Sequence, residues 1–200
     1  MKNRKWILIC IVAVVLAGLW VWRYTTMNTY YDSFANIRNV VYQAGEVVPF
    51  GDDKLVSTDN AKGYSIRVNS MEILEPQEFV QETGISLYNL AIKPERIALV
   101  YITLFNEESD AEGIYLIDFE LHGIDNYVGM NWALLAELNP VLQGAYGIRL
   151  EDHTQYELVL PFNVFEQYFD GYTWSNMDSY DWFLRITTWP NEKDIAVNAS

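Results

Sequence analysis

The chain changes its apolar period twice. From Trp6 to Trp22 it is hydrophobic with no charge and no proline. Between Asp32 and Ala44, Phe34, Ile37, Val40 and Val41 recur at helical spacing, which predicts a short helix capped by Asp32 or Ser33 and stopped at Gly45. From Glu46 onward the period is two. Tyr64, Ile66 and Val68 alternate with Ser65, Arg67 and Asn69. The same alternation runs through 115–121, 156–162 and 182–188, where Pro190 stops it. Ile97 to Phe105 is apolar on both parities, as a central strand covered on both faces should be. Short strands are expected at 47–50 and, as a last edge strand, at 195–197. Short helices are expected at 76–88 and 163–169. Met130 to Leu138 fits either a helix or a strand.

Many short strands with Gly, Asn and Asp between them predict an all-β domain, an antiparallel immunoglobulin-like β-sandwich. The missing long βαβ crossovers exclude a parallel sheet. The first run is of another kind. About 20 apolar residues span a bilayer, with about 17 as the lower limit. Lys2, Arg4 and Lys5 precede the run and Arg23 closes it, which places the N-terminus in the cytoplasm. Trp20 and Trp22 fall where interfacial aromatics sit. The expected organisation is an N-terminal transmembrane helix acting as a signal anchor over 1–23, a stalk with a short helix over 24–45, and an extracytoplasmic domain over 46–200. Cleavage after Ala17 is the rival reading, and it would leave Leu19, Trp20, Val21 and Trp22 at a new terminus.

The order of features resembles the membrane-anchored, telokin-like immunoglobulin-fold proteins of Gram-positive bacteria. The resemblance rests on Gly63-Tyr64-Ser65-Ile66-Arg67-Val68, on Ala98 to Asn106, on Phe119-Glu120-Leu121-His122-Gly123 and on Leu158-Val159-Leu160-Pro161-Phe162. It covers roughly 46–190. It implies a sandwich outside the cell membrane and no catalytic residue.

Charge narrows the partners. The chain carries 13 Lys and Arg against 27 Asp and Glu, a net −14. Four of the cations and none of the acids lie in the first 23 residues, leaving 9 against 27, or −18, for the rest. Such a surface excludes nucleic acid and does not lie on an anionic bilayer. The only cysteine, Cys10, sits in the apolar run, so the domain has no internal disulfide and no cysteine metal site.

Little else points to chemistry. His122 and His153, the only histidines, fall near strand–turn boundaries, where a solvated side chain is expected. There is no nucleophile elbow, phosphate loop or His-Glu-x-x-His pattern. Glu107, Glu108, Asp110 and Glu112 follow Asn106 in an oxygen-rich turn, the one weak candidate for calcium; a solvated hairpin turn is the preferred reading, and no cofactor is expected. The segment from Phe165 to Trp182 interleaves aromatics with Asp170, Asp178 and Asp181. Phe165, Phe169 and Trp182 should complete the core, while Tyr172 and Trp174 are the candidates for contact with a partner. The function expected is binding or scaffolding, with membrane contact through 6–22 and an envelope protein or glycan as partner. A carbohydrate-binding or hydrolytic envelope module is the alternative.

Overall fold

A computed structural model describes residues 2–34, 37–56, 61–107 and 113–197. The chain divides into two units, 1–37 and 38–200. The first holds a single helix, α1 (Lys2–Phe34). Side chains along it are described at Trp6 and over 11–26, and every one is exposed. Eleven of them, including Val14, Leu16, Leu19, Trp20 and Trp22, are large and apolar. Among the described residues no helix is long and apolar enough to cross a membrane, so the span expected over Trp6–Trp22 rests on sequence alone.

The second unit is mostly β. Its elements in order are β1 (Arg38–Tyr42), β2 (Val48–Pro49), β3 (Tyr64–Leu74), α2 (Pro76–Thr83), β4 (Arg96–Asn106), β5 (Ile114–Tyr115), β6 (Glu120–His122) and β7 (Tyr127–Val128). They continue with α3 (Trp132–Leu138), β8 (Gly147–Ile148), β9 (Thr154–Val164), α4 (Gly171–Ser175), β10 (Trp182–Thr187) and β11 (Asn191–Val197). One sheet has the order β1-β11-β10-β6-β7 and the other β2-β3-β4-β9, while β5 and β8 form a separate ribbon. The inner faces of the two sheets share one core. Ile66, Val100, Ile102, Leu158 and Leu160 come from one sheet, and Leu121, Trp182, Leu184 and Ile195 from the other. A smaller core on the outer face of the second sheet joins Leu74, Ile97 and Leu99 to Phe79 of α2 and Leu134 of α3.

The double-faced apolar run at 97–105 is explained by these two cores. In β4, Ala98, Val100, Ile102 and Leu104 face the first and Ile97 and Leu99 the second. β3 changes parity midway. Its register slips between Val68 and Ser70, so Val68 and then Met71 face the same core. A bulge that adds one residue has this effect. The free edge of β9 is closed by a side chain: Asn139 Nδ2 donates to Val159 O at 2.7 Å and Oδ1 accepts from Val159 N at 2.8 Å. An amide carries the same donor and acceptor pair as a neighbouring strand.

Several sequence expectations need correction. The helix expected over 32–44 does not form. α1 continues to Phe34, and Arg38–Tyr42 is a strand paired in parallel with β11. The first sheet is therefore mixed, and β11 is interior to it instead of being an edge strand. The alternating run at 115–121 is split by a turn between β5 and β6. The segment 163–169 gives the end of β9 and a single 3-10 turn. Met130 to Leu138 resolves as helix, because Asn131 caps α3 by accepting from Leu134 N. Connectivity departs from the immunoglobulin order as well. There the second and third strands lie in opposite sheets, whereas β2 and β3 are neighbours in one sheet.

Candidate functional site

β11 places consecutive side chains on opposite faces, as any strand does. Ile195 and Val197 point into the core, so Lys193 points inward as well, and Glu192 and Asp194 point outward. The outward row continues across the sheet through the pairings Asn39↔Glu192, Arg185↔Asp194, Arg185↔Glu120 and Phe183↔His122. Strand pairing alone therefore gathers Asn39, Glu192, Asp194, Arg185, Glu120, His122 and Tyr127 on one face.

Arg185 is the centre of this face. Its Nε lies 2.9 Å from Asp194 Oδ1 and its Nη2 2.8 Å from Glu192 Oε1. Its Nη1 donates to the Tyr127 hydroxyl at 3.3 Å, and the guanidinium sits 5.8 Å from that ring's centroid. Arg185 is thereby held charged, above even its ordinary range: burial opposes this, and Asp194 leads the groups that outweigh it. Asp194 is 2 % exposed. Burial raises its carboxyl, but the adjacent His122 imidazole and the hydrogen-bonded Arg185 guanidinium prevail and pull it down to about 2.

His122 is buried, against the expectation of a solvated turn residue. Its ring lies between Tyr127 and Phe183, with centroids 5.2 and 5.6 Å away. Nδ1 is 2.9 Å from Gly123 O. Nε2 is 3.3 Å from Asp194 Oδ1, an ion-pair distance, but it is not aligned for a hydrogen bond and has no other partner among the described residues. Burial is the largest influence on this imidazole and pushes it down. Asp194 and the Gly123 carbonyl together outweigh burial and the opposing Arg185, leaving it above 6.5. The backbone beside it is tightly placed: a Cβ on Gly123 would lie 2.1 Å from the Tyr180 ring.

A cleft of about 640 Å³ opens beside this row, where the entry to β6, the exit from β7 and the end of β10 meet 55–56. Arg185, Tyr127 and Glu120 belong to both cleft and row, and Asp118, Ile117 and Met130 complete the wall. Asp118 and Glu120 come from one segment, so the cleft brings together two acids with one already paired cation. The sequence held no local signal for the Asp194–His122 pair, because 72 residues separate them. Only the register of β6, β10 and β11 joins them.

The other candidates fall elsewhere. Glu107 lies just after β4, whereas Glu108, Asp110 and Glu112 are outside the described residues. Asn106 is turned inward, and its Nδ2 donates to Leu150 O at 2.9 Å. Among the described residues no group of three or more His, Cys, Asp or Glu could hold a metal ion. Tyr172 and Trp174 part company on α4, the short helix that Asp170 caps. Tyr172 is 78 % exposed. Trp174 is half-buried against the core beside Phe169, with the Arg96 guanidinium 4.2 Å above its ring. Trp182 lies fully in the core.

Fold and site together define a class: a two-sheet β domain, covered by helices on one outer face, with a buried ion cluster on the other. Within that class, residues 39–193 match the family described as domain of unknown function DUF5028, and the chain belongs to that family. No curated protein and no solved structure matches the chain.

Proposed function

We propose that the chain is a membrane-anchored, extracytoplasmic binding or scaffolding protein, with a sandwich domain displayed from an uncleaved N-terminal helix. The observation that carries this is α1. It is one continuous helix of 33 residues, about 50 Å at 1.5 Å per residue. The apolar core of a bilayer is about 30 Å thick. The uncharged stretch from Trp6 to Trp22 lies within it, flanked by Lys2, Arg4 and Lys5 on one side and Arg23 on the other. The described apolar side chains of this helix are exposed, and lipid is the cover their chemistry fits. The basic N-terminal flank supports an orientation with the acidic domain outside.

Expressed at full length in a Gram-positive host, the protein stays in the membrane fraction after alkaline extraction, and protease added to intact cells removes the domain. Val14→Arg releases it, since a charge at the centre of a span costs about 2.5–3.5 kcal/mol. A mature protein in the medium that begins at Gly18 would refute the anchor. For an envelope protein or glycan partner, Tyr172 is the contact we propose, since it is exposed, whereas Trp174 packs on the core and holds Arg96. Tyr172→Ala in the full chain leaves the melting temperature in place and lowers cross-linking to the partner. Unchanged cross-linking removes α4 from consideration.

A further inference from the structure

We propose that His122 is a pH-responsive latch: when protonated it fastens the β6–β7 hairpin, and with it the Tyr127 wall of the cleft, to β11 through Asp194. A carbonyl oxygen only accepts, so Nδ1, 2.9 Å from Gly123 O, must carry a proton. The neutral ring has one proton. With that proton on Nδ1, the Nε2 lone pair lies in a buried site 3.3 Å from an ionised oxygen of Asp194. Two acceptors then lie in contact at that distance, an arrangement that buried polar groups avoid. A second proton replaces that repulsion by attraction. The site as built fits imidazolium better than imidazole.

Charge balance agrees. The groups facing His122 are Glu120 on its own strand, the Tyr127 phenol on β7, Arg185 on β10, and Glu192 and Asp194 on β11; Asn39 of β1 adds an uncharged amide. Asp194 and Glu192 balance Arg185 and a protonated His122. Loss of the His122 proton leaves the buried group with one uncompensated negative charge, next to Glu120. Backbone pairing with β10 over Glu120 to His122 holds one side of the hairpin, and side chains hold the rest. β7 is two residues long and β6 three. Inward, Leu121 and Val128 anchor it, and Gly123 N donates to Asn126 O at its turn. On the outer face, His122 and Tyr127 supply its ties to β10 and β11.

The sign follows from linkage. The imidazole is raised above 6.5 in the closed state. Its contribution is therefore complete below about pH 6.5 and fades as pH rises through the folded value. A cleft wall tied to this latch is firm in mildly acidic surroundings and loosens toward alkaline ones. The inference needs neither the membrane anchor nor the identity of a partner.

The test uses the full chain in detergent micelles. Histidine Cε1–H resonances are titrated, and amide exchange over 120–128 is followed at several pH values with correction for the intrinsic rate. His122→Gln assigns the resonance, His153 remaining as the second signal. We expect His122 to titrate above 6.5 and hairpin protection to fall as pH rises through its titration. In His122→Gln the protection profile becomes flat with pH. In Asp194→Asn the His122 titration moves down; should that variant not fold, Tyr127→Phe retains both charges and should keep the pH dependence. Titration of His122 at or below 6.5 in the wild-type chain, or hairpin protection that does not vary with pH, would overturn the latch.

Discussion

Lys193 and Asp194 are neighbours on β11, and both are buried ions, yet their surroundings have opposite character. The Lys193 ammonium has three protons and three acceptors: Pro49 O at 2.6 Å, Phe50 O at 2.9 Å and Asp53 Oδ2 at 2.7 Å. Asp53 in turn accepts from Asn191 N and Nδ2. Every proton of Lys193 is used, and the pair ties the turn after β2 to the start of β11. On the outward side Asp194 serves two cations, and one of them, His122, has a nitrogen left without a well-aligned partner. A saturated set of hydrogen bonds around a lysine and its carboxylate makes a rivet. An incomplete set containing an imidazole makes a joint that responds to protons. One strand carries both because its side chains alternate.

The largest effect that separates them is at Lys193. Lys193→Met keeps the length of the side chain but leaves Asp53 charged and two carbonyls bare, and should cost about 3–5 kcal/mol. Denaturant unfolding followed by tryptophan fluorescence reads this, since Trp182 is buried. The loss should be the same between about pH 5.5 and 8, because the cluster contains no imidazole. A loss that varies through this range would erase the contrast between the two sides of β11.

Asp194→Asn comes next, at about 3 kcal/mol, the lower end for a broken buried pair, since Arg185 keeps Glu192 and Tyr127. Here pH matters on both sides. The Asp194 carboxyl is depressed to about 2, so its contribution is present above its ordinary pKa of about 3.9 and is lost as pH falls through about 2. The His122 contribution fades as pH rises. Wild-type stability should therefore drop at both extremes, and Asp194→Asn should flatten both limbs. A variant that retains the alkaline limb would assign that limb to another group.

How far this was legible in the sequence differs between the two clusters and the frame that carries them. β3, β4, β9 and β10 announce themselves, because a strand with one or two buried faces writes its period directly into the chain. Ile97 to Phe105 even declares that both faces are covered. The segment 32–44 misled for a physical reason. Phe34, Ile37, Val40 and Val41 fit a helix by spacing, but Val40 and Tyr42 are partly buried in β1, where the parallel partner β11 supplies the hydrogen bonds. A pairing that bridges more than 150 residues has no local trace. The same holds for the site. His122 reads as a turn residue beside Gly123, and its partner Asp194 lies in a charged run, Glu192-Lys193-Asp194, that looks solvated. The alternation of that run gives one hint, since a lysine between two acids on a strand must face the other way. The aromatic segment was half legible: Trp182 as core could be read from its strand, whereas the Arg96 above Trp174 could not.

The smallest effect asks how far the outward cluster reaches. Asn39 Nδ2 donates to Glu192 Oε1 at 2.8 Å and approaches Asp194 Oδ2 at 3.3 Å, so the amide joins β1 to the same two acids that hold Arg185. Asn39 is exposed, and water can replace its bonds. Asn39→Ala should therefore cost about 0.5 kcal/mol, the low end for a hydrogen bond to a folded domain. β1 would keep its backbone pairing with β11 over Arg38 to Tyr42, so its amides should exchange somewhat faster while those of β10 do not change. The pH dependence of the hairpin should be intact, because Arg185, Asp194 and His122 remain in place. A loss near that of Lys193→Met would mean that β1 is an integral member of the outward cluster, and the distinction between rivet and joint would then have to be redrawn around Asn39 instead of His122.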